Sequence, residues 1–188
     1  MKREISAPLS PELAKTLHCG ERILISGTIY TARDAAHKRL VELAAAGKPL
    51  PFPMEGSVIY YVGPTPEKPG QIIGSAGPTT SGRMDAYAPT LMDMGLVGMI
   101  GKGRRSEAVV DAMRRNGAVY LCAIGGAGAL LAKCVKKAEI VAYEDLGAEA
   151  VRKLEVERLP VIVAIDSRGN DLYQLGRRAY LEREGGGI

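Results

Sequence analysis

The chain has 188 residues, of which 46% are hydrophobic and 24% charged, a balance typical of a globular domain with a buried core. No apolar run approaches the ~20 residues of a membrane-spanning helix, and no apolar signal core follows the charged residues Lys2 and Arg3. We therefore expect a single cytoplasmic domain without membrane association.

The net charge is only +4, there is no long basic run, and aromatic side chains are scarce, with one Phe and no Trp. These features argue against a nucleic-acid partner, which needs a basic surface and stacking side chains. They fit a small anionic substrate or an acidic partner surface.

The three cysteines, Cys19, Cys122 and Cys134, are odd in number and widely spaced, so they predict neither a disulfide framework nor a zinc site. Three thiolates could hold an iron–sulfur cluster. However, Cys122 lies in the apolar run 119–124, where free cysteine usually acts as a small hydrophobic residue. The two histidines are far apart in the sequence. We therefore expect this chain to bind no metal by itself.

Strand-like and helix-like patterns alternate along the chain. In chain order, the predicted elements are strand 22–30, helix 31–46, strand 57–62, loop 64–70, strand 71–75, helix 82–94, strand 97–100, helix 106–116, strand 118–124, helix 129–136, strands 138–143, 153–156 and 161–165, and helix 170–184. Thr31 is the expected N-cap of the first helix, Pro89 interrupts the second, and Gly117 ends the third. The order predicts one layered α/β domain over 1–184, with some parallel pairing and a flexible tail at 185–188.

One short segment is unusually rich in binding chemistry: Gly77-Pro78-Thr79-Thr80-Ser81-Gly82-Arg83-Met84-Asp85. It lies between a predicted strand and a predicted helix, and the free N–H groups at a helix N-terminus bind anions readily. Arg83, four residues after Thr79, would add a two-pronged grip on a carboxylate or phosphate. The alternative interpretation is a Thr or Ser N-cap followed by a surface arginine.

Arg33 and Asp34 follow the first predicted strand, at the edge of a sheet where α/β proteins commonly bind ligands. Asp34 could orient the Arg33 guanidinium, and His37 lies one helical turn beyond Arg33 on the same face. The alternatives are an ordinary surface Arg–Asp pair, and a histidine that packs at a layer edge or supports Arg33.

Two glycine-rich turns follow later predicted strands. Gly101 and Gly103 flank Lys102, so the backbone could approach a ligand closely, although a solvated lysine in a flexible turn is the alternative. The turn Gly125-Gly126-Ala127-Gly128 lacks the full spacing of a dinucleotide-binding site. We therefore interpret this second turn as tight strand–helix packing.

Taken in order, the segments 26–40, 77–85, 98–103, 145–150 and 163–166 resemble the β subunit, or C-terminal domain, of the class I iron–sulfur hydro-lyases, which are the class I fumarases and L-tartrate dehydratases. The resemblance covers nearly the whole chain. It implies an α/β fold of the swivelling kind, a three-layer β/β/α domain with a mainly parallel central sheet and a second antiparallel sheet.

The resemblance also implies a function, that of the β subunit of a class I fumarate hydratase. Such an enzyme reversibly hydrates fumarate to L-malate, and its α subunit holds a [4Fe–4S] cluster. Thr79 is the implied catalytic base, paired with an aspartate of the partner. The implied substrate-binding residues are Arg33, Thr80, Arg83 and Lys102, and the supporting residues are Asp34 and His37. The implied assembly is a hetero-oligomer, with a homodimer of this chain as the alternative.

Two other functions are compatible with the sequence. The first is the β subunit of an L(+)-tartrate dehydratase, although the small Gly82 is more similar to the fumarases, since tartrate enzymes can carry a bulkier residue there. The second belongs to another class: a non-catalytic anion- or nucleotide-binding module that uses the glycine-rich turns.

Overall fold

The computed structural model describes residues 3–184 and has a mixed α/β architecture, as predicted. The strands are β1 Arg3–Ala7, β2 Arg22–Thr31, β3 Val58–Tyr60, β4 Gly98–Gly101, β5 Val119–Cys122, β6 Val135–Ala142 and β7 Val151–Ile165. The α-helices are α1 Pro11–Lys15, α2 Asp34–Ala45, α3 Ala88–Asp93, α4 Glu107–Asn116, α5 Gly128–Ala132 and α6 Leu172–Glu184, with 3-10 helices at Ser81–Met84 and Glu144–Glu149. The predicted tail at 185–188 lies outside the described residues.

Hydrogen bonds join the seven strands into one sheet in the order β1-β2-β3-β4-β5-β7-β6. Neighbours among β1 to β5 run parallel, so these five strands bring their carboxyl ends to the same edge of the sheet. Strand β7 runs antiparallel and pairs with β2, β5 and β6. The three-layer swivelling arrangement, with a separate antiparallel sheet, stays a prediction.

Strand β7 corrects the prediction of two strands at 153–156 and 161–165. It is continuous because a β-bulge absorbs the polar residues between them: two steps along β2, from Ile25 to Gly27, match three steps along β7. Arg158 adopts φ +53° at this bulge, and its N–H donates to Ser26 Oγ at 3.0 Å. The two apolar segments 153–156 and 161–165, which lie on either side of the bulge, therefore belong to one bent strand.

Several element boundaries also differ from the predictions. The segment 71–75 is not a strand, because Ser75 makes its backbone hydrogen bonds with Thr65 in the proline-rich loop. Thr31 ends β2, where its hydroxyl accepts the N–H of Arg152 at 3.0 Å, so Arg33 takes the N-cap position of α2. The remaining corrections are that helix 82–94 divides into Ser81–Met84 and Ala88–Asp93, that helix 129–136 ends at Ala132, and that β1 and α1 were not predicted.

Successive side chains along a strand point to opposite faces of the sheet, and the two faces contribute to two separate hydrophobic cores. In the centre of the sheet, Tyr60 packs into one core and Ile59 and Tyr61 into the other. The second core also contains Leu40 from α2 and Met113 from α4, so the helices cover this face of the sheet. No helix within residues 3–184 is both long and apolar enough to cross a membrane.

Candidate active site

The predicted site residues gather at the carboxyl edge of the parallel strands. Arg33 follows β2 and Lys102 follows β4, while Tyr61, which was not a predicted site residue, follows β3 between them. The threonine motif lies directly beside these strand ends, because Thr79 N–H donates to the Tyr61 carbonyl at 2.8 Å and Ser81 N–H donates to the Lys102 carbonyl at 2.9 Å. This edge is where α/β sheets commonly bind ligands.

Thr79 and Thr80 lie in extended backbone and not at the start of an α-helix. Thr80 has φ −66° and ψ 120° and forms an isolated parallel bridge with Lys102. The helix after the motif is a short 3-10 helix with Thr80 at its N-cap position, so the predicted relation of one α-helical turn between Thr79 and Arg83 is wrong, while the anion site stays a prediction. Within residues 3–184, neither threonine hydroxyl has a hydrogen-bond partner, and Thr80 does not cap the 3-10 helix through its side chain. Both hydroxyls are thus available to a ligand.

Arg83 forms an ion pair with Asp34, the first residue of α2. This contact corrects the prediction that Asp34 orients Arg33. The Arg83 side chain is 51% exposed, and only Nη2 is engaged by Asp34. The carboxylate therefore fixes one side of the Arg83 guanidinium and leaves its other donors open for an anion.

Arg33 is held by Glu149, a residue that was not predicted to belong to the site. Arg33 Nη2 lies 3.3 Å from one carboxylate oxygen of Glu149, and the other oxygen accepts the N–H of Ala35 at 3.1 Å. A side chain at Gly63 would come within 2.7 Å of Arg33 Nη1, so the glycine makes room for the guanidinium. Arg33 Nε is buried without a partner among the described residues, and so retains a free donor. Glu149 lies in the segment 145–150 that carries the family resemblance, which was the available signal.

His37 supports the backbone of Arg33 from below the site. Its ring is fully buried, and with the Arg33 carbonyl as acceptor at 2.9 Å, Nδ1 carries the proton. Burial lowers the pKa of His37 to about 4, with the charge of Arg105 adding to this effect against the hydrogen bond to Arg33. The imidazole is therefore neutral at physiological pH, and its contacts agree with the predicted supporting role.

Lys102 extends from β4 across the glycine-rich turn after β5. A side chain at Gly125 would lie 3.7 Å from Lys102 Cδ, an ordinary van der Waals distance, so Lys102 passes close to this glycine without requiring it. The ammonium group has no carboxylate within ion-pair distance in the described part of the chain. At the other end of the turn, Gly128 packs closely against Ser75 and Gly77. The turn thus packs closely against the loop before the threonine motif, and not against a strand as predicted.

Together these residues form a cationic surface with two free hydroxyls. Thr80, Arg83 and Lys102 are all exposed, so the site is open to solvent. A neighbouring cavity of about 470 Å³ is lined by other residues, among them Thr65, Ala148 and Arg152. Guanidinium groups with fixed orientation and free donors suit the two oxygens of a carboxylate.

The cysteines of this chain do not fit a metal cluster. Cys19 precedes β2, Cys122 ends β5, and Cys134 follows α5. Burial raises the pKa of the Cys19 thiol to about 11, which disfavours the thiolate that metal ligation needs. Within residues 3–184, no group of three or more His, Cys, Asp or Glu side chains could hold a metal ion.

The fold and the cationic edge define an α/β domain that is suited to small carboxylates. The model of the fumarase C-terminus family matches residues 3–176, and the chain therefore belongs to this family. This match confirms the family resemblance seen in the ordered motifs.

Individual relatives agree with the family assignment. The chain is 44% identical over 174 residues to the anaerobic class I fumarate hydratase of Escherichia coli, a match that covers 92% of this chain and 31% of that enzyme. It is 44% identical over 156 residues to fumarate hydratase 2 of Leishmania major, covering 82% of this chain and 28% of the relative. The chain thus spans about a third of the length of these fumarate hydratases.

A third relative has a similar length to this chain. It is the protein named "Putative L(+)-tartrate dehydratase subunit beta" from Methanocaldococcus jannaschii, 38% identical over 172 residues, with 88% of each chain covered. Two of these relatives are thus named as fumarate hydratases and the third as a tartrate dehydratase subunit.

The buried His37 predicts a specific pH dependence of stability. Because folding lowers its pKa from 6.5 to about 4, the unfolded chain takes up a proton between these pH values while the folded chain does not. The stabilising contribution is thus fully present above pH 6.5 and is lost as the pH falls toward 4. We expect the free energy of unfolding to fall by up to about 3 kcal/mol more in the wild type than in His37→Gln over this range.

Urea unfolding at a series of pH values measures this difference. The matched control is His18→Gln, since His18 is the other histidine and is exposed. His18→Gln should retain the loss of stability that is assigned to His37. A pH dependence in His37→Gln equal to that of the wild type would contradict the buried neutral state.

Proposed function

We propose that this chain is the β subunit of a class I fumarate hydratase and acts with a cluster-bearing α subunit in the cytoplasm. The observation that carries the proposal is the convergence of Thr79, Arg33, Arg83 and Lys102 at one sheet edge in a member of the fumarase C-terminus family. The length match to a relative named as a β subunit supports a separate chain. The proposed fold is the three-layer swivelling β/β/α domain of the resemblance.

The cationic residues would bind the two carboxylates of the substrate. A dicarboxylate loses its hydration on binding, and several positive charges are needed to offset that loss. Arg33 and Arg83 each have one side fixed by an acidic side chain, through Glu149 and Asp34 respectively. Their remaining donors can form parallel hydrogen bonds with a carboxylate. Lys102 adds a third charge beside Thr80.

Thr79 would transfer the proton and Thr80 would orient the substrate. A hydroxyl is a weak base unless its anionic form is stabilised. The charges of Lys102 and Arg83 near the motif would favour that form. Thr79 is half-buried and Thr80 exposed, so Thr79 is the better shielded of the two.

The [4Fe–4S] cluster belongs in this proposal to the α subunit, because the described residues of this chain do not fit it. The contribution of this chain is therefore to bind and orient the dicarboxylate and to hold a proton at Thr79 Oγ1. Dehydration of L(+)-tartrate is the second candidate reaction, supported by the Methanocaldococcus jannaschii relative. Gly82 does not discriminate by packing, since the nearest atom to an added Cβ is 3.8 Å away.

The first test of this function is an assay of the chain with and without its partner. We expect the isolated chain to be colourless and inactive, and the complex with the α subunit, assembled anaerobically with iron and sulfide, to hydrate fumarate. Kinetics with fumarate and L(+)-tartrate on the same complex distinguish the two substrates. A brown isolated chain with cysteine-dependent turnover would overturn the assignment of the cluster to the partner.

The role of Thr79 predicts a loss of turnover and not of binding. In the complex, Thr79→Ala should lower kcat on the order of 10²–10⁴-fold with little change in KM, because a proton-transfer group acts in the transition state. Thr80→Ala should be milder and should partly raise KM. The control is Thr90→Ala, at an exposed position of α3. Near-normal kcat in Thr79→Ala would leave Thr79 as a binding residue only.

The carboxylate grip predicts that Arg83→Lys and Arg33→Lys are not conservative. Lysine keeps the charge but loses the planar fork, so inhibition by succinate should weaken at least several-fold, as should fumarate use. Arg115→Lys is the control, because Arg115 also pairs with a carboxylate, Asp93, on a different element. Inhibition constants and thermal melts are measured for each variant. Unchanged succinate inhibition together with a large drop in Tm would make these arginines structural.

A further inference from the structure

The turn that carries Lys102 is held rigidly despite its two flanking glycines. All four backbone polar groups of Lys102 and Gly103 have partners. Lys102 N–H donates to Ser81 Oγ at 3.1 Å, and the Lys102 carbonyl accepts from Ser81 N–H at 2.9 Å. Gly103 N–H donates to the Tyr173 hydroxyl at 3.1 Å, and the Gly103 carbonyl accepts from the Tyr120 hydroxyl at 3.0 Å. A flexible solvated turn would not be fixed at every polar group.

Tyr120 is the residue on which these hydrogen bonds converge. Its single proton is donated to the Gly103 carbonyl, so the 2.9 Å contact with Ser81 is donated by the serine hydroxyl. Ser81 Oγ in turn accepts the Lys102 N–H. The chain of donors thus runs from Lys102 through Ser81 and Tyr120 to Gly103, and both ends lie on the same turn.

The surroundings leave this chain of hydrogen bonds little freedom to rearrange. Ser81 and Tyr120 are completely buried, and a side chain at Gly101 would come within 1.9 Å of Ser81 Oγ. The Arg105 guanidinium lies over the Tyr120 ring, 5.0 Å from its centroid, and is held by Asp85 at 2.7 Å. Burial raises the pKa of Tyr120, which keeps its hydroxyl protonated as a donor.

We infer that Tyr120 is a positioning residue which, through Ser81 and Gly103, fixes Lys102 beside Thr79 and Thr80. This inference rests on the proposed function, because it deepens the account of the same site. The hydroxyl of Tyr120 contacts no group that would touch the substrate. Its effect is on the location of the turn, and small displacements of a positioned group can reduce the rate up to about 10²-fold.

The test compares two tyrosine-to-phenylalanine variants in the complex with the α subunit. Tyr120→Phe removes the hydroxyl that serves Ser81 and Gly103. Tyr61→Phe is the matched control, since Tyr61 is equally buried and also lies under Arg105, yet its hydroxyl has no hydrogen-bond partner among the described residues. We expect Tyr120→Phe to lower kcat about 10- to 100-fold and to weaken succinate inhibition about fivefold or more. Tyr61→Phe should stay within about twofold of the wild type.

A second variant protects the test against misfolding. Ser81→Ala removes the same chain of hydrogen bonds from the other side and should reproduce both kinetic effects. Thermal melts set an assay temperature at which every variant is folded. If Tyr120→Phe only lowers Tm, with kcat and succinate inhibition at wild-type values, or if Tyr61→Phe loses as much activity, the positioning role is overturned.

Lys102→Met separates this inference from the proposed function. If Lys102→Met keeps wild-type activity and succinate inhibition, the proposed carboxylate grip is wrong whatever Tyr120 does. If Lys102→Met loses both while Tyr120→Phe keeps both, the grip stands and the positioning role fails. Loss of both properties in Lys102→Met, with partial loss in Tyr120→Phe, supports the inference.

Discussion

The candidate site depends on the backbone pairing of the threonine motif with the ends of β3 and β4. Thr79 N–H bonds to the Tyr61 carbonyl and Ser81 N–H to the Lys102 carbonyl, so the motif continues the sheet as a short extended segment. Backbone hydrogen bonds fix position far better than exposed side-chain contacts, because they remove the rotational freedom of the chain itself. Thr79, Thr80 and Lys102 are therefore fixed relative to one another by the backbone.

The electrostatics of the site follow from how its arginines are held. An exposed Arg–carboxylate pair contributes little to stability, so Asp34 matters mainly for the orientation of the half-exposed Arg83, whereas Glu149 pairs with the more buried Arg33. Each acid occupies one side of a guanidinium, and Arg33 keeps a buried Nε without a protein partner. A buried donor without a partner is costly, so Arg33 Nε is a polar group that the described residues leave unsatisfied. The arginines are therefore pre-oriented for an anion and not fully neutralised by the protein.

The sequence pattern predicted those elements whose structure depends on neighbouring residues in the chain. The periodicity of β2 and α4 and the glycine after α4 gave those elements correctly, and the motifs gave the family. The strand at 71–75 failed because two adjacent apolar residues cannot distinguish a strand from a loop whose Ser75 bonds to Thr65. Glu149 and Tyr120 were missed for another reason. They reach the site across separations of 114 and 39 residues, and only the sheet order brings them there.

The openness of the site constrains how it could work. Arg83 and Lys102 lie in water, where the attraction of a cation for a carboxylate is about 1 kcal/mol at 4 Å, against about 4 kcal/mol near a partly covered protein surface. Two exposed cations and the partly buried Arg33 would therefore bind a small dicarboxylate weakly. Covering the edge with another protein surface would exclude water and strengthen each contact without moving any residue of this chain. The backbone of the Lys102 turn is already fixed by hydrogen bonds, while its side chain is exposed. A covering surface would therefore have to exclude water from Lys102 but would not have to order the turn.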